Sequence, residues 1–166
     1  TNRSRFFRGQ VDKYTWVDIG SSYLPSDLLA AMLWAQFEQR DEIQTKRQKI
    51  WETYDQQLPA FAERHNVRLP VIPEHCEQSY HMYHILMPSL EARTGLINHL
   101  LERDILSVFH YLPLHLSDMG RKFGGEVGDC PVTEDISDRL LRLPLYTNMT
   151  EEEQDYVLAG LYSFEG

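Results

Sequence analysis

The spacing of apolar residues changes character along the chain and divides it into three stretches. Residues 1–25 carry Phe6, Phe7, Tyr14, Trp16 and Tyr23 with no helical or strand repeat, set among Gly9, Gly20, Ser21, Ser22 and Pro25. Large apolar groups without a period predict an arm, over residues 1–26, that packs on another body. From Leu28 to about Leu58 there is neither Gly nor Pro. Ser26-Asp27 ahead of this run supplies a capping hydroxyl and an acidic first turn, so a helix is predicted over 27–58. At 1.5 Å per residue it is about 45 Å long. Its stripe reads Leu28, Met32, Ala35, Gln39, Ile43, Arg47, Ile50, Tyr54, Leu58: apolar at both ends, polar at the waist. Such a helix suits a spine joining two bodies.

Shorter elements follow in a domain expected over 59–166. Val67-Arg68-Leu69 and Tyr80 to Met87 read as strands, Glu91 to Asp104 as a helix, and Ser107 to Tyr111 as a further strand stopped by Pro113. A glycine-rich loop spans Gly120 to Pro131, and Thr133 is positioned to cap a helix running to about Leu141. Thr150 followed by Glu153 is a capping box for a last helix through Leu161. Strand, helix, strand and two helices predict an α/β layer with a small antiparallel or mixed sheet, preceded by the long linking helix.

Composition narrows the function classes. The 166 residues hold 42% apolar and 25% charged side chains, as a globular domain requires. Sixteen basic against twenty-five acidic residues give a net charge of -9, which argues against a nucleic-acid partner. No apolar run reaches membrane-spanning length and no basic-then-apolar leader opens the chain, so a cytoplasmic protein with no membrane partner is expected. Thr1 stands where an initiator Met would, and the opening reads as a fragment or a processed chain. Cys76 and Cys130 lie far apart with no ligand spacing around them and are expected to be free thiols.

His81 and His84, three apart on a strand, point to opposite faces and do not share an ion. His110 and His115 can converge around Pro113, but no carboxylate or thiol close in sequence completes a site, so no metal is expected. Gly20-Ser21-Ser22-Tyr23 lacks the second glycine of a nucleophile elbow, though two hydroxyls and free N–H groups ahead of a helix suit a phosphate. Gly120, Gly124, Gly125 and Gly128 lack the Lys-Ser/Thr ending of a phosphate loop. Phe109-His110-Tyr111-Leu112-Pro113-Leu114-His115 is the most distinctive stretch: two imidazoles and a phenol where a strand meets a proline-stiffened loop, a place that commonly faces a pocket.

Lys13 to Asp27 (KYTWVDIGSSYLPSD), then Ala30-Ala31 and Leu33-Trp34-Ala35-Gln36, resemble the DegT/DnrJ/StrS sugar aminotransferases. Phe6-Phe7-Arg8-Gly9, the Phe109 to His115 stretch and Arg139 to Leu145 match that family in order and spacing, so the resemblance covers essentially the whole chain. It implies the C-terminal small domain of a fold-type I PLP enzyme, a homodimer moving the amino group of glutamate onto a dTDP-linked 4-keto-6-deoxyhexose. The family's cofactor lysine belongs to a serine- and glycine-rich segment upstream of Thr1. None of Lys13, Lys46, Lys49 and Lys122 sits in such a segment, so no catalytic residue is expected here and the chain is expected to be inactive alone. By position Ser21, Ser22 and Tyr23 match the loop that reaches a partner's PLP phosphate, Arg8 and Lys13 suit the nucleotide diphosphate, and His110, Tyr111 and His115 match the sugar-facing motif. The competing expectation, of a different class, is a binding or assembly module that kept the fold without catalysis.

Overall fold

The computed structural model describes residues 23–166. They belong to two compact units, one ending at Arg40 and one spanning Asp41–Gly166. Of the arm expected over residues 1–26, all but the last four residues lie outside the described part, and Arg8, Lys13, Ser21 and Ser22 with them.

In the first unit, helix α1 (Asp27–Glu38) starts at Ser26, whose backbone is extended and whose Oγ accepts the N–H of Leu29 at 3.3 Å. That hydroxyl satisfies one of the amides a helix start leaves unpaired. No residue of α1 is buried, and Leu28, Leu29, Met32, Leu33, Trp34 and Phe37 are all exposed. The helix stops at Gln39 (φ -102°, ψ 6°), whose N–H bonds the Gln36 carbonyl at 3.1 Å. The stretch expected as one helix over 27–58 is therefore two, interrupted without a glycine or proline by a tightened turn at a single residue.

Helix α2 (Arg40–Gln57), which belongs to the second unit from Asp41 onward, buries Ile50, Trp51 and Tyr54, with Leu58 completing the same stripe. Pro59 begins α3 (Pro59–His65), a position where its missing N–H costs nothing. Asn66, in the left-handed conformation at φ 51°, ends it. Next come strand β1 (Tyr83–Leu86), helix α4 (Leu90–Leu101) capped by Ser89, and strand β2 (Val108–Phe109). A one-turn 3-10 helix (Leu114–Leu116), α5 (Asp118–Lys122), α6 (Pro131–Arg139), β3 (Leu140–Leu143) and α7 (Glu151–Tyr162) follow. The capping box expected at α7 is formed: Thr150 accepts the Glu153 N–H at 3.2 Å and Glu153 accepts the Thr150 N–H at 2.8 Å.

The sheet is antiparallel throughout, in the order β1-β3-β2, so its centre is a strand the sequence reading did not find, its first half placed at the end of a helix. Thr133 does not cap α6 but lies within it, because Pro131 starts the helix two residues earlier. Leu140 then turns extended at φ -75°, ψ 129°, and Leu140–Leu143 leave the helix for the sheet. Paired on both edges, with Leu141 fully buried and Leu143 nearly so, β3 gains more as a strand than as a further helical turn. The strand expected at Val67 to Leu69 reduces to one bridge, Arg68 to Leu86.

Tyr54, Leu58, Phe61, Tyr83, Ile85, Leu96, Leu100, Leu141 and Leu161 form the centre of the core. Each buried large side chain contributes roughly 1.5–3 kcal/mol. Buried phenols and amides are satisfied: the Tyr54 hydroxyl donates to the Pro144 carbonyl at 2.9 Å, and Gln154 Nε2 donates to the Ile50 carbonyl at 2.7 Å, tying α7 to α2.

Candidate functional site

Register across the sheet places chemistry on its less buried face. His84 on β1, Arg142 on β3 and Val108 on β2 form one cross-strand row and share that face, while Ile85, Leu141 and Phe109 form the next row on the other. Strand alternation returns His110, just after β2, to the His84 side. Burial first, then the nearby His110 and His81 rings, hold the His84 imidazole below its ordinary pKa. Arg142 donates from Nη2 to the Phe109 carbonyl at 3.2 Å, fastening the start of the histidine loop to the central strand. From α4, Arg93 lies over the Phe109 ring at 5.4 Å from its centroid and donates to the Ser137 carbonyl at 2.8 Å.

The loop after β2 carries the three residues singled out from the sequence. His110 is half-buried, with Nδ1 shielded from solvent and without a protein partner, and its ring meets that of Tyr111 edge-on at 5.2 Å. Tyr111 is 78% exposed. Buried Pro113 anchors the loop and accepts the Leu116 N–H at 3.0 Å. His115 then turns to a partner of its own: its Nε2 lies 2.8 Å from Glu134 Oε1, and both side chains are largely covered. No carboxylate lies close to His115 in sequence, but α6 delivers one from nineteen positions on. Glu134 also accepts the backbone N–H groups of Gly128, at 2.9 Å and 3.1 Å, and of Cys130, at 3.3 Å. The His115 and Gly128 hydrogen bonds lead the effects that keep its carboxyl below the usual pKa.

Sequence reasoning named His110, Tyr111 and His115 but missed His84 in this role, Arg142 and Glu134. A chain-order motif carries no signal for a row formed by three strands, nor for a helix facing a loop.

Tyr23, the described member of the expected cofactor loop, is 90% exposed. The described lysines are poor candidates for covalent PLP attachment, which needs a desolvated, uncharged amine. Lys46 and Lys49 pair on the surface with Glu42 at 2.6 Å and Glu151 at 2.5 Å, and Lys122 is exposed. The described residues therefore do not fit a covalent PLP site. No group of three or more His, Cys, Asp or Glu among them is arranged to hold a metal, and Cys76 and Cys130 are free and exposed. Two clefts, about 500 Å³ beside Lys46 and Asn148 and about 580 Å³ beside Leu106 and Tyr156, do not include His110, Tyr111 or His115. The histidine loop borders an open face. No helix of the described residues is long and apolar enough to cross a membrane.

A small three-stranded antiparallel sheet packed with helices is the fold this chain shares with solved aminotransferases, of which it covers about two fifths. The family model of the DegT/DnrJ/EryC1/StrS aminotransferases matches residues 3–162, and the chain belongs to that family. It is similar to the GDP-perosamine synthase of Escherichia coli O157:H7, 26% identical over 98% of this chain and 44% of that protein. A crystal structure of a family aminotransferase from Brucella abortus superposes with TM-score 0.78 at 28% identity, over 99% of this chain and 42% of that one. NtdA of Bacillus subtilis, solved with bound PMP, aligns with TM-score 0.62 at 27% identity, over 70% of this chain and 27% of that one. The chain spans about two fifths of the length of the first relatives it matches.

Proposed function

We propose that this chain is the small-domain part of a PLP-dependent sugar-nucleotide transaminase, moving the amino group of glutamate onto a dTDP-linked 4-keto-6-deoxyhexose. The observation that carries the reading is the family match over nearly the whole chain, on a fold that presents His110, Tyr111 and His115 from one proline-anchored loop. In this reading PLP is bound covalently by a lysine other than Lys46, Lys49 and Lys122, with Ser21, Ser22 and Tyr23 reaching the cofactor phosphate of a partner subunit. Arg8 and Lys13 take the nucleotide diphosphate through charge-assisted hydrogen bonds. His110 and Tyr111 offer an imidazole and a phenol to the hydroxyls of the sugar, and Arg142 holds the loop start so that both arrive in a fixed geometry. Alone, the chain forms no covalent bond to PLP and turns nothing over.

The test incubates the complete protein with PLP, glutamate and a panel of dTDP-, GDP- and UDP-linked 4-keto-6-deoxyhexoses, with mass spectrometry of the products. An amino sugar from the dTDP substrate is the expected result. Product from the GDP substrate alone would replace the nucleotide in the proposal, and no amino sugar from any substrate would sink it.

A further inference from the structure

The glycine-rich segment between Gly120 and Gly128 matches no phosphate loop, yet each part of it has a place around one residue. A side chain at Gly120 would collide with the Leu114 and His115 carbonyls, and one at Gly125 with the His115 carbonyl. The two glycines thus let the chain close against the His115 backbone, and the Gly125 N–H seals the turn on the Gly120 carbonyl at 3.0 Å. Gly128, at φ 98°, adopts a conformation that L side chains rarely take, and this directs its N–H at Glu134. Glu134 completes the enclosure by accepting from Gly128, Cys130 and the His115 ring together.

We infer that Glu134 is a positioning residue that locks His115 in the tautomer protonated at Nε2, leaving Nδ1 as a bare acceptor for a sugar hydroxyl. The chemistry follows from the partners. An ionised carboxylate only accepts hydrogen bonds, so the Nε2 facing it must carry the proton; in a neutral imidazole the other nitrogen is then the acceptor. A backbone gripped by Gly120 and Gly125 and a ring held by Glu134 leave His115 little freedom to turn, which is what a group selecting one hydroxyl needs. The assignment of a sugar as ligand rests on the proposed transaminase reading; the tautomer lock does not.

Two measurements separate these. Nitrogen-15 NMR of the 166-residue chain at neutral pH reads the His115 tautomer directly. The Nε2-protonated form should dominate, and Glu134→Gln should give a mixed population, because the neutral amide is the weaker acceptor and can turn its NH2 to donate to a bare Nε2. A wild-type ring protonated at Nδ1, or a tautomer indifferent to E134Q, overturns the lock, and the wild-type reading decides even if the variant misfolds. In the complete enzyme, E134Q should raise KM for the nucleotide sugar about two- to tenfold, the worth of one neutral hydrogen bond, with the glutamate half-reaction unchanged. A locked tautomer together with unchanged KM in both E134Q and H115Q overturns the hydroxyl assignment and counts against the sugar-facing reading of this loop.

Discussion

At the scale of single residues, His110 and Tyr111 separate substrate recognition from structural support. Both side chains stand at the edge of the sheet rather than in its core, Tyr111 largely in solvent and His110 with an unpartnered, shielded nitrogen. Replacing His110 by Ala, or Tyr111 by Phe, should lower kcat/KM for the keto sugar in the complete enzyme about two- to tenfold per hydrogen bond lost. Single-turnover absorbance of the glutamate half-reaction should stay unchanged; equal losses in both halves would assign the residues to the fold. His84 gives a pH signature. Its folded pKa lies below the ordinary value of about 6.5 because burial and the His110 and His81 rings oppose its charge, with the Arg142 guanidinium on the neighbouring strand in the same row. In the window below about 6.5 the unfolded chain binds the extra proton, so the His84 contribution is complete above that window and is lost as pH falls through it. Urea midpoints of wild type and H84Q should therefore diverge in slope between about pH 7 and 5. Parallel pH dependences would show that His84 titrates as freely folded as unfolded.

Among the elements, β3 decides the architecture. It pairs with β1 over four residues and with β2 over two, and Leu141 is fully enclosed. Leu141→Ala should destabilise the unit by about 2–5 kcal/mol, the cost of a buried cavity, read from a chemical denaturation midpoint at constant slope. A loss below about 0.5 kcal/mol, the range of surface substitutions, would mean that the strand is not the centre of the sheet. Capping rules located the starts of α1 and α7 from the sequence, since a hydroxyl or a Thr/Glu pair next to unpaired amides acts within four residues. They had no purchase on the passage from α6 to β3, where no breaker intervenes and the apolar run satisfies helix and strand periods alike. The one-residue break at Gln39 likewise left no mark in composition.

For the molecule as a whole, the two units are unequal in what they bury. The second has a closed core, whereas α1 holds Leu28, Leu29, Met32, Leu33, Trp34 and Phe37 on its exposed surface. An exposed apolar surface of this kind drives association. The isolated chain should self-associate with rising concentration in sedimentation velocity, and Leu33→Asp with Phe37→Asp should shift it toward monomer. A chain that stays monomeric at high concentration would contradict this.

By itself the sequence determined the family, the α/β class, the helix caps at Ser26 and Thr150, and the loop from Phe109 to His115, because each rests on residues adjacent or one helical turn apart. Tertiary structure alone decided that Leu140–Leu143 is the central strand, that His84, Arg142 and Val108 share a row, and that Glu134 closes on His115. Those outcomes depend on strand pairing and on a helix docked nineteen positions from its partner. Local propensity cannot encode them, since buried backbone amides and side chains find their partners only when distant segments meet.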